Sequence, residues 1–380
     1  MDVYIGSGRF TGPGTIQVEG PAGNRTLRFA KAALCTGATR RSATHARIGR
    51  GGISDPTRPW FWLTELPRRL AVIGAGPDRM RTGSELSPAS AAGCTSSKPC
   101  TAFCRTKTAT QRDIVQQSMA RDGVTLLCCG KDLNVGKTDG GKRLTVDSHG
   151  QRYDIAVDEI LVGVGRAPNV EGLGLETVGV EYDRTGVKVN SRLQTTNPRI
   201  YAAGDVCSRY KFTHAADAMA QIVIQNALFP HPFGLAYASA DSLTIPWCTY
   251  TEPEIAHVGM YEAEAKTKGL QVETYTYRLD EVDRAILDGE EEGFARVHIQ
   301  KGTDKILGAT IVAAHAGDLI SEFTALMKAG AGAKTLAGTI HPYPTQAEVN
   351  KKVVNLWRKA HFTEGQKRML KRWFEWTRKG

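Results

Sequence analysis

Two glycine-containing turns of this 380-residue chain carry residues suited to ligand chemistry. Gly204 and Asp205 follow an apolar run (RIYAA), and Gly74 and Gly76 follow another (RRLAVI). Glycine lets a ligand lie against the backbone, and an aspartate at a strand end can accept hydrogen bonds from ribityl or ribose hydroxyl groups. Taken singly, the signals are weak, because a third glycine is missing after Gly76 and Gly-Asp is common at plain strand-to-turn junctions.

The cysteines do not form a metal or disulfide pattern. There are eight of them, and no CxxC pair or Cys/His metal spacing occurs among them. We therefore expect free thiols and no metal site. Cys128 and Cys129 suggest a redox role, but the preceding run 124–127 predicts a buried strand, so we favour a core position for both.

The elements that would position these turns follow an α/β pattern. Helical spacing over 113–122 is followed by a strand over 123–129, a hairpin formed by 142–147 and 153–157, and a strand over 159–165. This order predicts a doubly wound nucleotide-binding domain, whose ligands bind at the carboxyl ends of its strands.

A different architecture follows position 245. The runs 295–299 and 306–312 have strand character, and the segment 317–330 has helical character. These elements predict a separate α+β domain.

Composition limits the class of protein. No run of 18 uncharged apolar residues and no secretory signal occurs, so we expect a cytoplasmic protein. The net charge of +10 is concentrated in residues 351–380, which carry ten Lys or Arg and two Glu. A basic tail without a recognition motif does not support binding to nucleic acid.

Six motifs in order resemble the pyridine nucleotide–disulfide oxidoreductases, the family of dihydrolipoamide dehydrogenase, glutathione reductase and mercuric reductase. They are LCTGA at 34–38, AVIGAG at 71–76, GRAPN at 165–169, IYAAGD at 200–205, WCTYTEPEIAHVG at 247–259 and HPYPTQAE at 341–348. The resemblance covers most of the chain, and the order of the motifs is specific.

The resemblance implies an α/β fold of FAD- and NAD(P)-binding Rossmann-like domains, with the flavin domain incomplete, followed by an α+β dimerisation domain. It implies a homodimer that passes electrons from NAD(P)H through FAD to a small-molecule acceptor. The cofactor-binding residues would be Thr36, Gly37, Gly74, Gly76, Gly165, Arg166, Gly204, Asp205, His214 and Ala215. The helix that begins near Thr213 would direct its positive end at the flavin.

The same resemblance points to the C-terminal loop as a proton relay, in which family members use a histidine oriented by a glutamate. Tyr343 occupies the histidine position, Glu348 is retained, and His341 lies two residues earlier. Tyrosine there resembles mercuric reductase, but no cysteine follows Cys248, so the acceptor stays open between a disulfide, a metal and another small molecule.

The domain boundaries follow from these motifs. We expect a remnant of the FAD-binding domain at 1–40, a linker at 41–66 and an NAD(P)-binding domain at 67–162 with an aberrant stretch at 77–111. The second part of the FAD-binding domain would span 163–242, the dimerisation domain 243–355 and a basic amphipathic tail 356–380.

Two departures from the family pattern weaken the expected mechanism. The chain begins after the places of the family's first GxGxxG turn and its CxxxxC redox pair, so we expect an N-terminally truncated chain. The alternative to an oxidoreductase is then an inactive dimerisation or interaction module derived from the same family. Flavin colour and NAD(P)H oxidation distinguish these two possibilities.

The second departure is the stretch 77–111, which has no apolar periodicity. With one base deleted, a synonymous codon choice for 77–86 reads Pro-Ile-Gly-Cys-Glu-Leu-Ala-Gln-Ser, which restores the third glycine. We therefore hypothesise an out-of-frame reading here and a similar one over 40–61, which sequencing of the gene tests. The altered stretch is expected to form a poorly ordered exposed loop.

The basic tail also carries apolar residues with helical spacing. Met369, Leu370, Trp373, Phe374 and Thr377 share one helical face, and Lys and Arg residues flank it. Such a helix more often packs on its own protein, and the second hypothesis is contact with an anionic membrane surface.

Overall fold

The computed structural model of the chain describes residues 1–40, 47–48, 64–73, 91–95, 109–138, 141–162 and 165–378. The chain divides into two compact units. Unit 1 comprises Met1–Ser42 and Val164–Leu243, and unit 2 comprises Ala43–Gly163 and Thr244–Gly380. Each unit therefore combines two separate stretches of the sequence.

The described residues form strands and helices in both units. The strands are β1 (Ser7–Gly12), β2 (Thr15–Gly20), β3 (Gly23–Arg28), β4 (Ala32–Leu34), β5 (Ala38–Arg40), β6 (Arg47–Ile48), β7 (Leu70–Ile73), β8 (Ala91–Thr95), β9 (Thr125–Thr138), β10 (Gly141–Ser148), β11 (Gln151–Val157), β12 (Glu159–Val162), β13 (Arg166–Pro168), β14 (Tyr182–Asp183), β15 (Gly186–Val187), β16 (Ile200–Ala202), β17 (Trp247–Thr249), β18 (Glu254–Gly259), β19 (Val272–Arg278), β20 (Phe294–Gln300) and β21 (Ile306–Ala313). The helices are α1 (Ala109–Arg121), α2 (Thr213–Leu228), α3 (Glu262–Thr267), α4 (Asp283–Asp288), α5 (Ala316–Lys328), α6 (Ala333–Gly338), α7 (Glu348–Ala360) and α8 (Glu364–Thr377).

Unit 1 is built from small sheets and one long helix. β1, β2 and β3 form an antiparallel sheet, β4 pairs in parallel with β16, and β5 pairs antiparallel with β13. Leu34, Leu175 and Ile200 are buried together in its core, which α2 extends through Met219 and Val223. Burial of these apolar side chains fixes the β4–β16 pair within the unit.

The first sheet of unit 2 has the order β11-β10-β9-β8-β7-β12, with β6 pairing β9. β12, β7, β8 and β9 run parallel, as in a doubly wound nucleotide domain, and α1 lies between β8 and β9 in the chain. The predicted hairpin is confirmed as β10 and β11, and its turn places His149 and Gly150 at positive φ.

One expectation about this sheet was wrong. The stretch 77–111 was expected to form a loop, yet Ala91–Thr95 form β8 and pair with both β7 and β9. Pairing on both sides satisfies the backbone N–H and C=O groups of these residues, which favours a strand without an apolar repeat. The rest of the stretch up to 108 lies outside the described residues.

The second sheet of unit 2 is antiparallel, with the order β17-β18-β21-β20-β19. Every residue of β21 is buried, and α5 and α7 pack on this sheet through residues such as Phe323 and Val353. This is the expected α+β domain. None of the helices in the described ranges combines the length and the apolar character needed to cross a lipid bilayer.

Candidate functional site

Two turns of unit 1, one after β4 and one after β16, start side by side at the carboxyl ends of this parallel strand pair. Ala202 of β16 lies beside Leu34 of β4, and the Ala203 amide donates to the Leu34 carbonyl oxygen at 3.0 Å. The residues that follow, Thr36 and Gly37 on one side and Gly204 on the other, therefore start from neighbouring carboxyl ends. This is the position at which parallel sheets bind ligands.

The third motif, GRAPN, is held against the turn after β4. The Asn169 side-chain amide donates to the Thr36 carbonyl oxygen at 2.8 Å, and its carbonyl oxygen accepts from the Thr39 hydroxyl at 2.6 Å. The Thr36 hydroxyl donates to the Asn169 backbone oxygen at 2.8 Å. These bonds fix both turns. Asn169 was not among the predicted site residues, although the asparagine of GRAPN was a signal for it.

Arg166 connects all three turns. Its Nη2 donates to the Ala38 carbonyl oxygen at 2.7 Å, and its Nε lies 3.0 Å from Oδ2 of Asp205. The Asp205 side chain is only 15% exposed, whereas that of Arg166 is 47% exposed. A largely buried carboxylate is therefore oriented by an ion pair with Arg166, and its oxygens can accept hydrogen bonds from a ligand hydroxyl.

Gly204 is required by both conformation and space. Its φ of +78° is in the left-handed region, and a Cβ atom there would lie 3.2 Å from the Cβ of Ala216 on α2. The turn 204–206 closes with the Cys207 amide donating to the Gly204 carbonyl oxygen at 3.1 Å. Gly165 also has a positive φ, of 106°. A residue with a side chain at 204 would separate the turn from α2.

The N-terminus of α2 completes this cluster of unit 1. Phe212 precedes the helix and has no side-chain acceptor for the amides of the first turn. Ala215 is buried, and the exposed His214 stacks on Phe212 with ring centroids 5.3 Å apart. The helix therefore presents backbone donors and the positive end of its dipole.

Two thiols lie in the same region. Removal from water raises the pKa of Cys35, and burial raises the pKa of Cys207 to about 12. Both thiols are free and protonated at neutral pH, so they are weak nucleophiles.

The predicted residues of the C-terminal loop belong to unit 2 and do not share one partner. The Tyr343 hydroxyl donates to Oδ2 of Asp283 at 2.8 Å, and this bond raises the pKa of Tyr343. Glu348 lies at the start of α7 and pairs with Lys352 at 3.5 Å.

His341 has a different carboxylate. Its side chain is 7% exposed, and Nε2 lies 3.0 Å from Oε1 of Glu322 on α5. The Asn350 side chain donates to the other oxygen of Glu322 at 2.9 Å. The resemblance implied orientation of the loop by Glu348, whereas the structure orients His341 through Glu322.

Of the predicted nicotinamide site, the structure describes the strand that leads to the turn. β7 leads toward it and is fully buried, with β12 and β8 as parallel neighbours. Gly74 and Gly76 lie outside the described residues. Cys128 and Cys129 are placed within β9.

The sequence family model of the pyridine nucleotide-disulphide oxidoreductases matches residues 1–220. The family model of their dimerisation domain matches residues 245–354. The chain belongs to this family.

Relatives in the family include two of the three enzymes named above. Mercuric reductase of Staphylococcus aureus is 34% identical over 287 residues, which are 75% of this chain and 51% of that protein. Dihydrolipoyl dehydrogenase of Thermus scotoductus is 30% identical over 358 residues, which are 92% of this chain and 73% of that protein. The chain thus spans about half the length of the first of these relatives.

Solved structures agree in fold. The HOCl-induced flavoprotein disulfide reductase RclA from Escherichia coli superposes with a TM-score of 0.78 at 23% identity, covering 93% of this chain and 79% of that one. LpdA from Mycobacterium tuberculosis gives a TM-score of 0.79 at 23% identity, covering 93% and 76%.

Members of this oxidoreductase family use FAD and NAD(P)H. The unit 1 residues fit the ribityl and pyrophosphate part of FAD in donor set and in space. Asp205 supplies an acceptor, α2 supplies amide donors, and a Cβ atom added at Gly37 would meet nothing within 4 Å. Room beside the Gly37 backbone is what a cofactor chain passing along the strand edge requires.

Proposed function

We propose that this protein is a flavoprotein oxidoreductase that takes electrons from NAD(P)H through FAD and passes them to a disulfide, a metal or another small acceptor. The observation that carries the proposal is the convergence of three turns at the ends of β4 and β16, with Asp205 oriented by Arg166 at 3.0 Å. The family matches over 1–220 and 245–354 support it.

Bound FAD supplies hydride acceptance and two-electron transfer, and the residues of the chain bind and orient it. Asp205 accepts hydrogen bonds from a ribityl hydroxyl group, and Gly204 allows the close approach of the cofactor backbone. Thr36 and Gly37 line the neighbouring turn, and Gly165 and Arg166 fix it. The first turn of α2, at His214 and Ala215, stabilises negative charge at the edge of the bound rings.

Gly74 and Gly76 are proposed to hold the pyrophosphate of NAD(P)H after β7. In the C-terminal loop, His341 and Tyr343 are proposed to hold protons for the acceptor side, His341 through Glu322 and Tyr343 through Asp283. Glu348, which pairs with Lys352, is proposed to take part in the same proton relay. The cytoplasmic location expected from the sequence stays a prediction.

Flavin binding and turnover test this function together. Purified protein is expected to show the visible absorption of flavin and to oxidise NADH or NADPH with lipoamide, an aromatic disulfide, Hg²⁺ or a dichlorophenol dye. Asp205→Asn is expected to lose flavin, whereas Asp241→Asn, at an exposed aspartate of the same unit, keeps it. Colourless wild-type protein that does not bind added FAD contradicts the proposal and favours an inactive dimerising module.

We propose in addition that the protein is a homodimer through unit 2. The dimerisation-domain match spans 245–354, and within it Leu287 is 73% exposed and Ile340 is 89% exposed. Ile340→Asp is expected to shift sedimentation from dimer toward monomer, whereas Ile224→Asp, which is 52% exposed in unit 1, leaves it unchanged. A wild-type monomer at micromolar concentration contradicts this assembly.

A further inference from the structure

The terminal helix α8 exposes its apolar side chains. No residue of α8 is buried, and four large apolar side chains are more than half exposed, namely Met369 at 63%, Trp373 at 56%, Phe374 at 52% and Trp376 at 68%. A capping box at Thr363 and Gln366 defines where the helix starts. The helix is therefore locally well specified, but none of its apolar residues is buried.

The sequence of α8 segregates these residues from its charges. With about 100° of rotation per residue, Met369, Leu370, Trp373, Phe374 and Trp376 fall within an arc of about 160°, which contains no charged residue. Such a face is wider than the narrow stripe of a coiled coil. It is a largely apolar surface along one side of the helix, which also includes the uncharged polar residues Gln366 and Thr377.

The charges are also ordered by sign. Lys367 and Arg372 border the apolar arc on its two sides, whereas Glu364 and Glu375 lie on the side of the helix opposite the arc. Both glutamates pair within the helix, Glu364 with Lys367 at 2.7 Å and Glu375 with Lys371 at 4.0 Å. The helix keeps a net positive charge, since it carries four Lys or Arg and two Glu, and the charged side chains nearest the apolar face are basic.

We propose that α8 binds flat on an anionic lipid bilayer surface, with its tryptophans at the level of the headgroups. Basic residues at the borders attract acidic headgroups, while the apolar face enters the boundary with the acyl chains. Trp side chains favour this interface because they combine an apolar body with a polar N–H group. At 14 residues the helix is about 21 Å long, shorter than a bilayer core of about 30 Å, so it lies along the surface.

The charges of α8 favour a lipid surface over a second copy of the chain as the partner of the apolar face. Two α8 helices that met through their apolar faces would bring Lys367 and Arg372 of one copy near the same residues of the other. Within each helix Glu364 pairs with Lys367 and Glu375 with Lys371, which leaves no glutamate of α8 to pair with Arg372 across that contact. Like charges at the border disfavour that contact, whereas acidic headgroups complement it.

Vesicle flotation tests the proposal. The full chain is expected to float with vesicles of phosphatidylglycerol and phosphatidylcholine, and about tenfold less with phosphatidylcholine alone. Lys367→Glu with Arg372→Glu, and separately Trp373→Ser with Trp376→Ser, are each expected to reduce binding about tenfold or more. Lys301→Glu with Lys334→Glu makes the same charge change at two exposed lysines outside α8 and is expected to bind within about twofold of wild type.

Three outcomes overturn the proposal. The first is vesicle binding equal to wild type by a chain that ends at residue 362, and the second is binding equal to wild type by the tryptophan variant. The third is a wild-type oligomer in lipid-free solution that is absent only in the tryptophan variant. The last outcome would assign the face to a second copy. Because both tryptophans are exposed, their replacement is expected to leave the circular dichroism melting curve unchanged, which keeps the test separate from misfolding.

Discussion

The turn cluster of unit 1 and the C-terminal loop of unit 2 were both assigned by motif, and they differ in how their residues meet. At the ends of β4 and β16, the motif residues contact one another, with Arg166 bound to Asp205 and Asn169 bound to Thr36. In the loop each residue has a partner from outside the motif or along its own helix. A motif that follows paired strands specifies its own contacts, whereas a motif on a loop depends on whichever elements pack beside it.

The sharpest test of the turn cluster is Gly204→Ala. The substitution combines left-handed strain with a Cβ contact at 3.2 Å from Ala216, and we expect it to cost about 4 kcal/mol of unfolding free energy. Gly172→Ala is the matched control, because its φ is +76° and nothing lies within 4 Å of the added Cβ. It should cost about 1–2 kcal/mol. Equal losses in denaturant unfolding would show that α2 does not constrain the turn.

The stability of unit 2 can be tested by pH through His298, a buried histidine on β20. Burial lowers the pKa of His298 from 6.5 to about 4, with Glu262 opposing and Arg296 reinforcing the shift. Because the unfolded state binds the proton more readily, the stability contributed by neutral His298 is complete above pH 6.5 and is lost as the pH falls toward 4. The loss is about 3 kcal/mol.

Replacement of the imidazole checks this sign. His298→Gln cannot titrate, so its unfolding free energy is expected to fall less between pH 7 and pH 4.5 than that of wild type. His315→Gln, at an exposed histidine of the same unit, should follow the wild-type profile. Parallel profiles for wild type and His298→Gln would contradict the assignment.

Arg166→Met tests whether contacts within the motifs serve the cofactor. The change leaves the Asp205 carboxylate, 15% exposed, without its cation, and we expect FAD affinity to fall about 30-fold, or about 2 kcal/mol. Arg184→Met removes an exposed arginine from the same unit and should leave affinity unchanged. Calorimetric titration of the apoprotein with FAD measures both. Wild-type affinity in Arg166→Met would mean that the pair is structural only.

The sequence predicted the elements better than their partners. The strand that precedes Gly204 and Asp205 and the hairpin around His149 and Gly150 were found because apolar runs and turn residues are local signals. The Arg166–Asp205 pair joins positions 39 residues apart, and Glu322 lies 19 residues before His341, so no local pattern announces either. β8 was missed because its pairing with β7 and β9, not an apolar repeat, specifies it.

The smallest expected effects decide which carboxylate organises the C-terminal loop. Glu322→Gln weakens two hydrogen bonds at once, from the nearly buried His341 and from Asn350, and is expected to cost about 1.5 kcal/mol of stability. Glu348→Gln removes only the pair with Lys352 along α7, which is worth less than about 0.5 kcal/mol. Both variants keep the side-chain volume, so denaturant midpoints compare the charges directly. If Glu348→Gln proved the costlier change, the loop would be organised by its own motif after all, and the contrast with the turns of unit 1 would disappear. A larger loss for Glu322→Gln, together with an altered pH profile of turnover, would instead place the orientation of His341 on α5.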